Sequence, residues 1–240
     1  MQTDERLLSF QERLFEKLDG KVHSGVFKGM RVIKDASWYG GQILQKLLGV
    51  YETELSGDIE RMVYNNPEVV INIGCAEGYY AVGLAKRLST AKIYAFDIEM
   101  EALRICERAA KINSVEDRFY FQTRATRSSL EPILSKNKKT AFIVDCEGCE
   151  RQIFEALSND LLSSSMILIE CHDFVDPGVT EFLEQKLFAT HLLHFVTSED
   201  RDAREVELLE DCDEEIRWDA LSEGRPEQMH WLLAYPRSSG

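Results

Sequence analysis

Val69-Val-Ile-Asn-Ile-Gly74-Cys-Ala-Glu-Gly78-Tyr-Tyr-Ala-Val-Gly-Leu-Ala85 is the stretch whose reading decides the fold. A short, almost wholly apolar run leads into two glycines four residues apart, then into small and apolar residues at helical spacing. Strand, tight turn and helix in that order open a βαβ unit. Glycine lets the backbone bend sharply and leaves room for a ligand to lie against it. In open α/β sheets ligands bind at the carboxyl ends of strands, near the point where the strand order reverses.

The same rhythm continues outward from this stretch. Apolar runs at Val69–Ile73, Lys92–Phe96, Phe119–Gln122, Ala141–Val144, Met166–Ile169, His191–Val196 and His230–Ala234 read as seven strands. Helical patterns near 79–88, 100–113, 127–136, 149–159 and 176–188 separate them. The first, fourth and fifth runs are unbroken enough to be parallel strands covered on both faces. Upstream, residues 4–20, 42–50 and 55–63 show helical spacing and no clear strand. The expected organisation is a helical cap over residues 1–66 and an α/β core over 67–240. Trp38 and Tyr39 are cap aromatics suited to core packing or to a pocket wall. The acidic stretch 199–223 reads as a solvated loop or helix between the last two strands.

The glycine loop does not fit a dinucleotide. The fingerprint G-x-G-x-x-G would need glycine where Ala76 and Tyr79 stand. A pyrophosphate docks on the N–H groups and positive dipole of a helix start, and Glu77 at that start would repel it. An unphosphorylated, cationic nucleoside such as S-adenosylmethionine suits the loop better. Asp97 ends the second strand 23 residues after Gly74, the position from which a carboxylate accepts bonds from ribose hydroxyls. The structural alternative for Asp97 is a cap on the next helix.

Composition sets the outer bounds. The chain has 240 residues, 44% hydrophobic and 29% charged, ordinary for a globular protein. Lys and Arg total 28 against 42 Asp and Glu, a net charge of -14 that argues against nucleic acid or an anionic membrane as partner. Acidic residues near the amino terminus and no long apolar run point to a cytoplasmic location. Cys75, Cys106, Cys146, Cys149, Cys171 and Cys212 are expected as reduced thiols, mostly buried.

Gly78-Tyr79-Tyr80 and Phe142-Ile-Val-Asp145-Cys-Glu147-Gly148-Cys-Glu150 carry a resemblance. Across residues 68–175 the chain resembles a class I S-adenosylmethionine-dependent methyltransferase, more narrowly the FkbM-type family. Phe27–Met30 and Lys46–Glu52 look like the lead-in of some members. The resemblance implies a Rossmann-like, seven-stranded, mostly parallel sheet with its last strand antiparallel. It also implies a cofactor site: Asn72, Gly74, Cys75, Ala76, Glu77, Gly78 and Tyr80 in the first motif, Asp97 and Ile98 after the second strand, Ala125 after the third, and Asp145 and Glu147 after the fourth. Asn72 stands where the family usually has an acid.

Methyl transfer depends mostly on alignment, with a general base if the acceptor is a hydroxyl. Asp145 after the fourth strand and Glu170-Cys-His172-Asp173 after the fifth are the candidates. His172 is the first choice, because an imidazole near its ordinary pKa takes a proton at neutral pH. A divalent ion held by Asp145, Glu147, Glu170 and Asp173 is a secondary option, and zinc on Cys146, Cys149, Cys171 and His172 a weaker one. Arg225, Met229 and Trp231 are alternative pocket residues, while His191 and His194 read as structural. The leading reading is O-methylation of a small-molecule acceptor, with a homo-oligomer left open. Its rivals are a metal-dependent enzyme of another kind on the same fold and a non-catalytic partner subunit.

Overall fold

Hydrophobic runs bounded by turns form the strands where the sequence predicts them. They are β1 (Val69–Ile73), β2 (Lys92–Phe96), β3 (Phe119–Gln122), β4 (Thr140–Val144), β5 (Ser165–Cys171), β6 (His191–Thr197) and β7 (His230–Pro236). The computed structural model describes residues 5–34, 42–137, 139–202, 204, 206–225 and 228–237; Trp38 and Tyr39 lie outside them. The strands form one sheet in the order β3-β2-β1-β4-β5-β7-β6. Pairing is parallel from β3 through β5, and β7 runs antiparallel to both β5 and β6. Every residue of β1, β4 and β5 is buried, the reason these runs carry so little polar character.

Helices cover both faces. Upstream lie α1 (Glu5–Lys17), α2 (Gln42–Leu48) and α3 (Ser56–Asn65). The core adds α4 (Tyr79–Arg87), α5 (Met100–Ile112), α6 (Arg127–Leu134), α7 (Glu150–Ala156), α8 (Asn159–Leu162), α9 (Val179–Leu187) and α10 (Glu214–Leu221). Alternation along the strands sorts side chains between two cores. Val70, Ile93, Ile143 and Leu168 pack with α4, α5 and the upstream residues Phe27, Met30, Ile59 and Met62. Ile71, Phe96, Phe142 and Ile169 pack with α6, α7 and α9.

The acidic stretch differs from its expected solvated state. Leu209, Ile216, Ala220 and Leu221 are buried against Phe10 and Leu14 of α1 and Leu44, Leu47 and Leu48 of α2. The acids between these buried residues face water, as does Trp218 in part. The outer helices upstream therefore share a small core with a segment more than 150 residues away.

Register positions the site. Ile73 pairs with Phe96 on one side and with Val144 on the other. Three strands thus end level, and Gly74, Asp97 and Asp145 leave the sheet side by side. β1 lies between β2 and β4, so the connections diverge there and open a cleft at the carboxyl ends.

Candidate active site

That cleft is a cavity of about 380 Å³, in the range of small-molecule sites. Its wall includes Gly74, Ala76 and Glu77 after β1, Asp97 and Ile98 after β2, Thr123 to Thr126 after β3, and Asp145, Cys146 and Glu147 after β4. Lys46 and Tyr51 close it from upstream, and Cys149, Gln152 and Ile153 from the α7 side.

The glycine loop owes its residues to the protein more than to the cavity. Gly74 has φ 75°, and a Cβ there would stand 1.6 Å from the backbone oxygen of Asp145. The close passage of the β1 and β4 exits dictates glycine, so room for a ligand is not the reason. Gly78 has φ 91°, and its Cβ would stand 2.6 Å from Cys106 Sγ on α5; it lies off the cavity wall. Ala76 adopts φ 45°, a strained value for a residue with a side chain. Its N–H donates to Asp97 Oδ2 at 2.9 Å, and Glu99 N–H donates to Asp97 Oδ1 at 2.9 Å. Asp97 thus ties the loop to β2 and opens the turn into α5, while its carboxylate still faces the cavity.

Three further residues of the first motif turn away. Asn72 is 2% exposed and donates from Nδ2 to the Ile143 oxygen at 3.4 Å. Strand alternation puts it in phase with Val70, on the α4 side. Cys75 is buried beside Cys106, and the hydrogen bond with Cys106, together with burial, pushes its thiol well above the usual range. Tyr80 donates to Glu52 from inside an aromatic cluster of Phe27, Tyr51 and Tyr79. Glu77 does line the cavity, but Lys46 pairs with it in a nearly buried ion pair and lies 4.6 Å from the centre of the Tyr51 ring. Its charge is therefore compensated, and the argument that Glu77 repels phosphate fails.

The β4 and β5 ends form the polar side. Glu147 at φ 55° and Gly148 at φ 103° curl the chain after β4. This brings Cys146 and Cys149 to a Cα separation of 5.6 Å, where they form a disulfide. The expectation of reduced thiols fails for this pair, and zinc on these two sulfurs falls with it. Cys75, Cys106, Cys171 and Cys212 are free.

His172 is 1% exposed and sits behind the wall. Its Nδ1 meets Glu150 Oε1 at 2.6 Å, and its Nε2 stands 3.6 Å from Asp145 Oδ1 and 3.5 Å from Glu147 Oε2. Burial opposes its charging, but the bond to Glu150 and the charges of Asp145 and Glu147 outweigh it and raise its pKa. A histidine held toward its charged form is a poorer base at neutral pH than an ordinary one. Asp145 is raised as well, because burial exceeds the pull of His172.

Glu170 is buried off the cavity and bonds to Arg225 at 2.7 Å. Arg225 also pairs with Glu52 and Glu223, each at 2.6 Å, and lies over the Trp231 ring at 4.8 Å. Burial raises Glu170 well above the carboxylate range and lifts Glu52 to about 7. Asp173 accepts from the N–H groups of Gly178 and Thr180 at the start of α9. A metal set using Glu170 and Asp173 is therefore not assembled. Met229 and Trp231 are buried core residues, and His191 bonds the Ser165 oxygen at 3.0 Å within the core. Sequence reasoning missed Lys46, Tyr51, Thr123, Arg124, Thr126 and Gln152. For the first two, the segment Lys46–Glu52 held the signal without showing what it faces.

No protein-family model and no curated protein matches the chain. Solved structures do resemble it. Precorrin-6y C5,15-methyltransferase from Geobacter metallireducens GS-15 superposes with a TM-score of 0.51 at 11% identity, covering 76% of this chain and 89% of that one. A Staphylococcus aureus protein described as a caffeoyl-CoA O-methyltransferase gives 0.50 at 10% identity, covering 75% and 82%. At such identity the likeness is one of fold, and it is the class I methyltransferase fold. Among the described residues no helix is long and apolar enough to cross a membrane.

Proposed function

We propose that the chain is an S-adenosylmethionine-dependent methyltransferase that methylates a small-molecule acceptor at oxygen. The observation that carries this reading is the cavity at the ends of β1, β2 and β4, with the Asp97 carboxylate on one side and Asp145 and Glu147 on the other. Asp97 spends one bond per oxygen on Ala76 and Glu99, so each oxygen keeps acceptor capacity for a ribose hydroxyl. Asp145 and Glu147 put negative charge where a sulfonium and an ammonium gain from it, a role that buried Asn72 does not fill. S-adenosylmethionine supplies an activated methyl group, and the cavity supplies alignment.

Asp145 faces the cavity and takes the acceptor proton, with its pKa raised by burial. His172 acts through it as a positioning residue. The net charge of -14 suits a small molecule better than nucleic acid or anionic lipid. A cytoplasmic location and membership of the FkbM-type family belong to the same proposal. Calorimetric titration with S-adenosylhomocysteine tests it. One equivalent of heat-producing binding is expected, and a folded protein that shows none overturns the reading.

A further inference from the structure

Around His172 the carboxylates of Asp145, Glu147 and Glu150 converge, and the Arg225 charge also acts on Asp145. Glu150 is wholly buried, and its Oε2 has no hydrogen-bond partner. The neighbouring guanidinium groups are committed: Arg225 to Glu52, Glu170 and Glu223, and Arg151 to Asp176 at 2.7 Å. Glu147 is exposed and Asp145 partly so, but Glu150 is buried with one oxygen unpartnered, and such a carboxylate is costly unless positive charge stands near it.

The geometry says which atoms would receive a cation. With Nδ1 donating to Glu150, a metal replacing the Nε2 proton would meet a lone pair that faces Asp145 and Glu147. The oxygens before it stand at 3.6 and 3.5 Å. Two ligands about 2.1 Å from a tetrahedral ion stand roughly 3.4 Å apart, close to this spacing. One oxygen of Asp145, one of Glu147 and a ring nitrogen of His172 all lie within 4.8 Å of one another. A buried carboxylate behind a histidine is the usual brace for a metal-binding imidazole.

We propose that Asp145 Oδ1, Glu147 Oε2 and His172 Nε2 form a divalent-metal site on the cavity wall. Mixed imidazole and carboxylate ligands suit a first-row ion such as Mn²⁺, Co²⁺ or Zn²⁺ better than Mg²⁺ or Ca²⁺. Three protein ligands leave a position open toward the cavity. Two carboxylates balance the ion's charge. The site does not depend on the methyl-transfer reading, since these residues meet without any cofactor.

Titration of the chelator-treated, oxidised full-length chain with Co²⁺, followed by visible absorption and calorimetry, tests this. One equivalent should bind, with d–d bands of nitrogen and oxygen ligation. His172→Asn and Glu147→Gln should each weaken binding at least tenfold, and Glu150→Gln roughly 10–100-fold. Glu131→Gln, on the exposed face of α6, should change nothing. If a variant unfolds, the wild type still decides: among the 5 histidines, the His172 ring resonances alone should shift with Zn²⁺. Absence of stoichiometric binding at millimolar Co²⁺ overturns the proposal. So do thiolate charge-transfer bands, or metal-induced shifts at His23, His194 or His230 without His172.

Discussion

The two sides of the cavity are built on opposite principles. On the β1–β2 side, backbone geometry rules: Gly74 is forced by the Asp145 carbonyl, and Ala76 is held at positive φ by its bond to Asp97. On the β4–β5 side, charge rules: Asp145, Glu147 and buried Glu150 converge on buried His172, and buried Glu170 is held by Arg225. One side is a rigid cradle whose parts are neighbours in sequence. The other is an electrostatic assembly whose stability depends on residues far apart in the chain.

The largest expected effect falls on the cradle. In Gly74→Val a side chain would begin 1.6 Å from a backbone oxygen, with no flexible neighbour to yield. The loss should exceed about 5 kcal/mol, the exceptional end of single substitutions, so little folded protein should be recovered and circular dichroism should show no cooperative melt. Normal folding with loss of cofactor binding alone would mean that ligand clearance explains the glycine after all.

On the charged side, Arg225→Met leaves Glu52, Glu170 and Glu223 without their shared cation. Breaking a buried ion pair from one side costs about 3–5 kcal/mol, to be read from urea unfolding at neutral pH. The deficit should shrink in mild acid, where the stranded carboxylates take up protons. A deficit independent of pH would point to lost packing on Trp231 instead.

Legibility followed the same division. The strands and the cleft at the β1 end were readable, because period, glycine placement and the Asp97 spacing are local signals; the antiparallel last strand followed from the resemblance alone, since nothing in its period sets its direction. Gly74 was the right residue for the wrong reason, since the clash lies across the sheet with Asp145. Asn72 was misplaced although its phase with Val70 already put it on the α4 side. Lys46 beside Glu77 and Glu150 beside His172 could not be paired from sequence, because the pairing depends on how separate elements dock. The same holds for Cys146 and Cys149, where two left-handed residues close a turn that the CxxC spacing alone does not specify.

The charged side should also show itself in pH dependence. Burial lifts the Glu52 carboxyl from an ordinary 4.5 to about 7, against the pull of Arg225. A carboxyl with a raised folded pKa binds its proton more tightly in the native state. Its contribution to stability is therefore greatest below pH 4.5 and declines as pH rises through about 7. The span is roughly 3 kcal/mol for this group. Glu170 and Asp145, both raised, act in the same direction. Glu52→Gln keeps an acceptor for Tyr80 and should flatten part of that decline in chemical unfolding between pH 4.5 and 7.5. An unchanged slope would remove Glu52 from the titrating set.

The smallest effect comes from Asp97, where the two principles meet in one carboxylate. It braces Ala76 and Glu99 through backbone bonds, and it faces the cavity. Asp97→Ala should lower stability by about 1 kcal/mol through the lost bonds. It should also weaken S-adenosylhomocysteine binding by about 1.5–3 kcal/mol, because a charged acceptor leaves the ribose position. Asp97→Asn separates the roles. The amide oxygen can still accept from one backbone N–H, while its NH₂ cannot accept from a hydroxyl. Stability should then recover part of its loss, and affinity should stay low. If affinity in Asp97→Asn instead tracks stability, or does not fall at all, Asp97 belongs wholly to the cradle, and the ribose must be held by other residues of the wall.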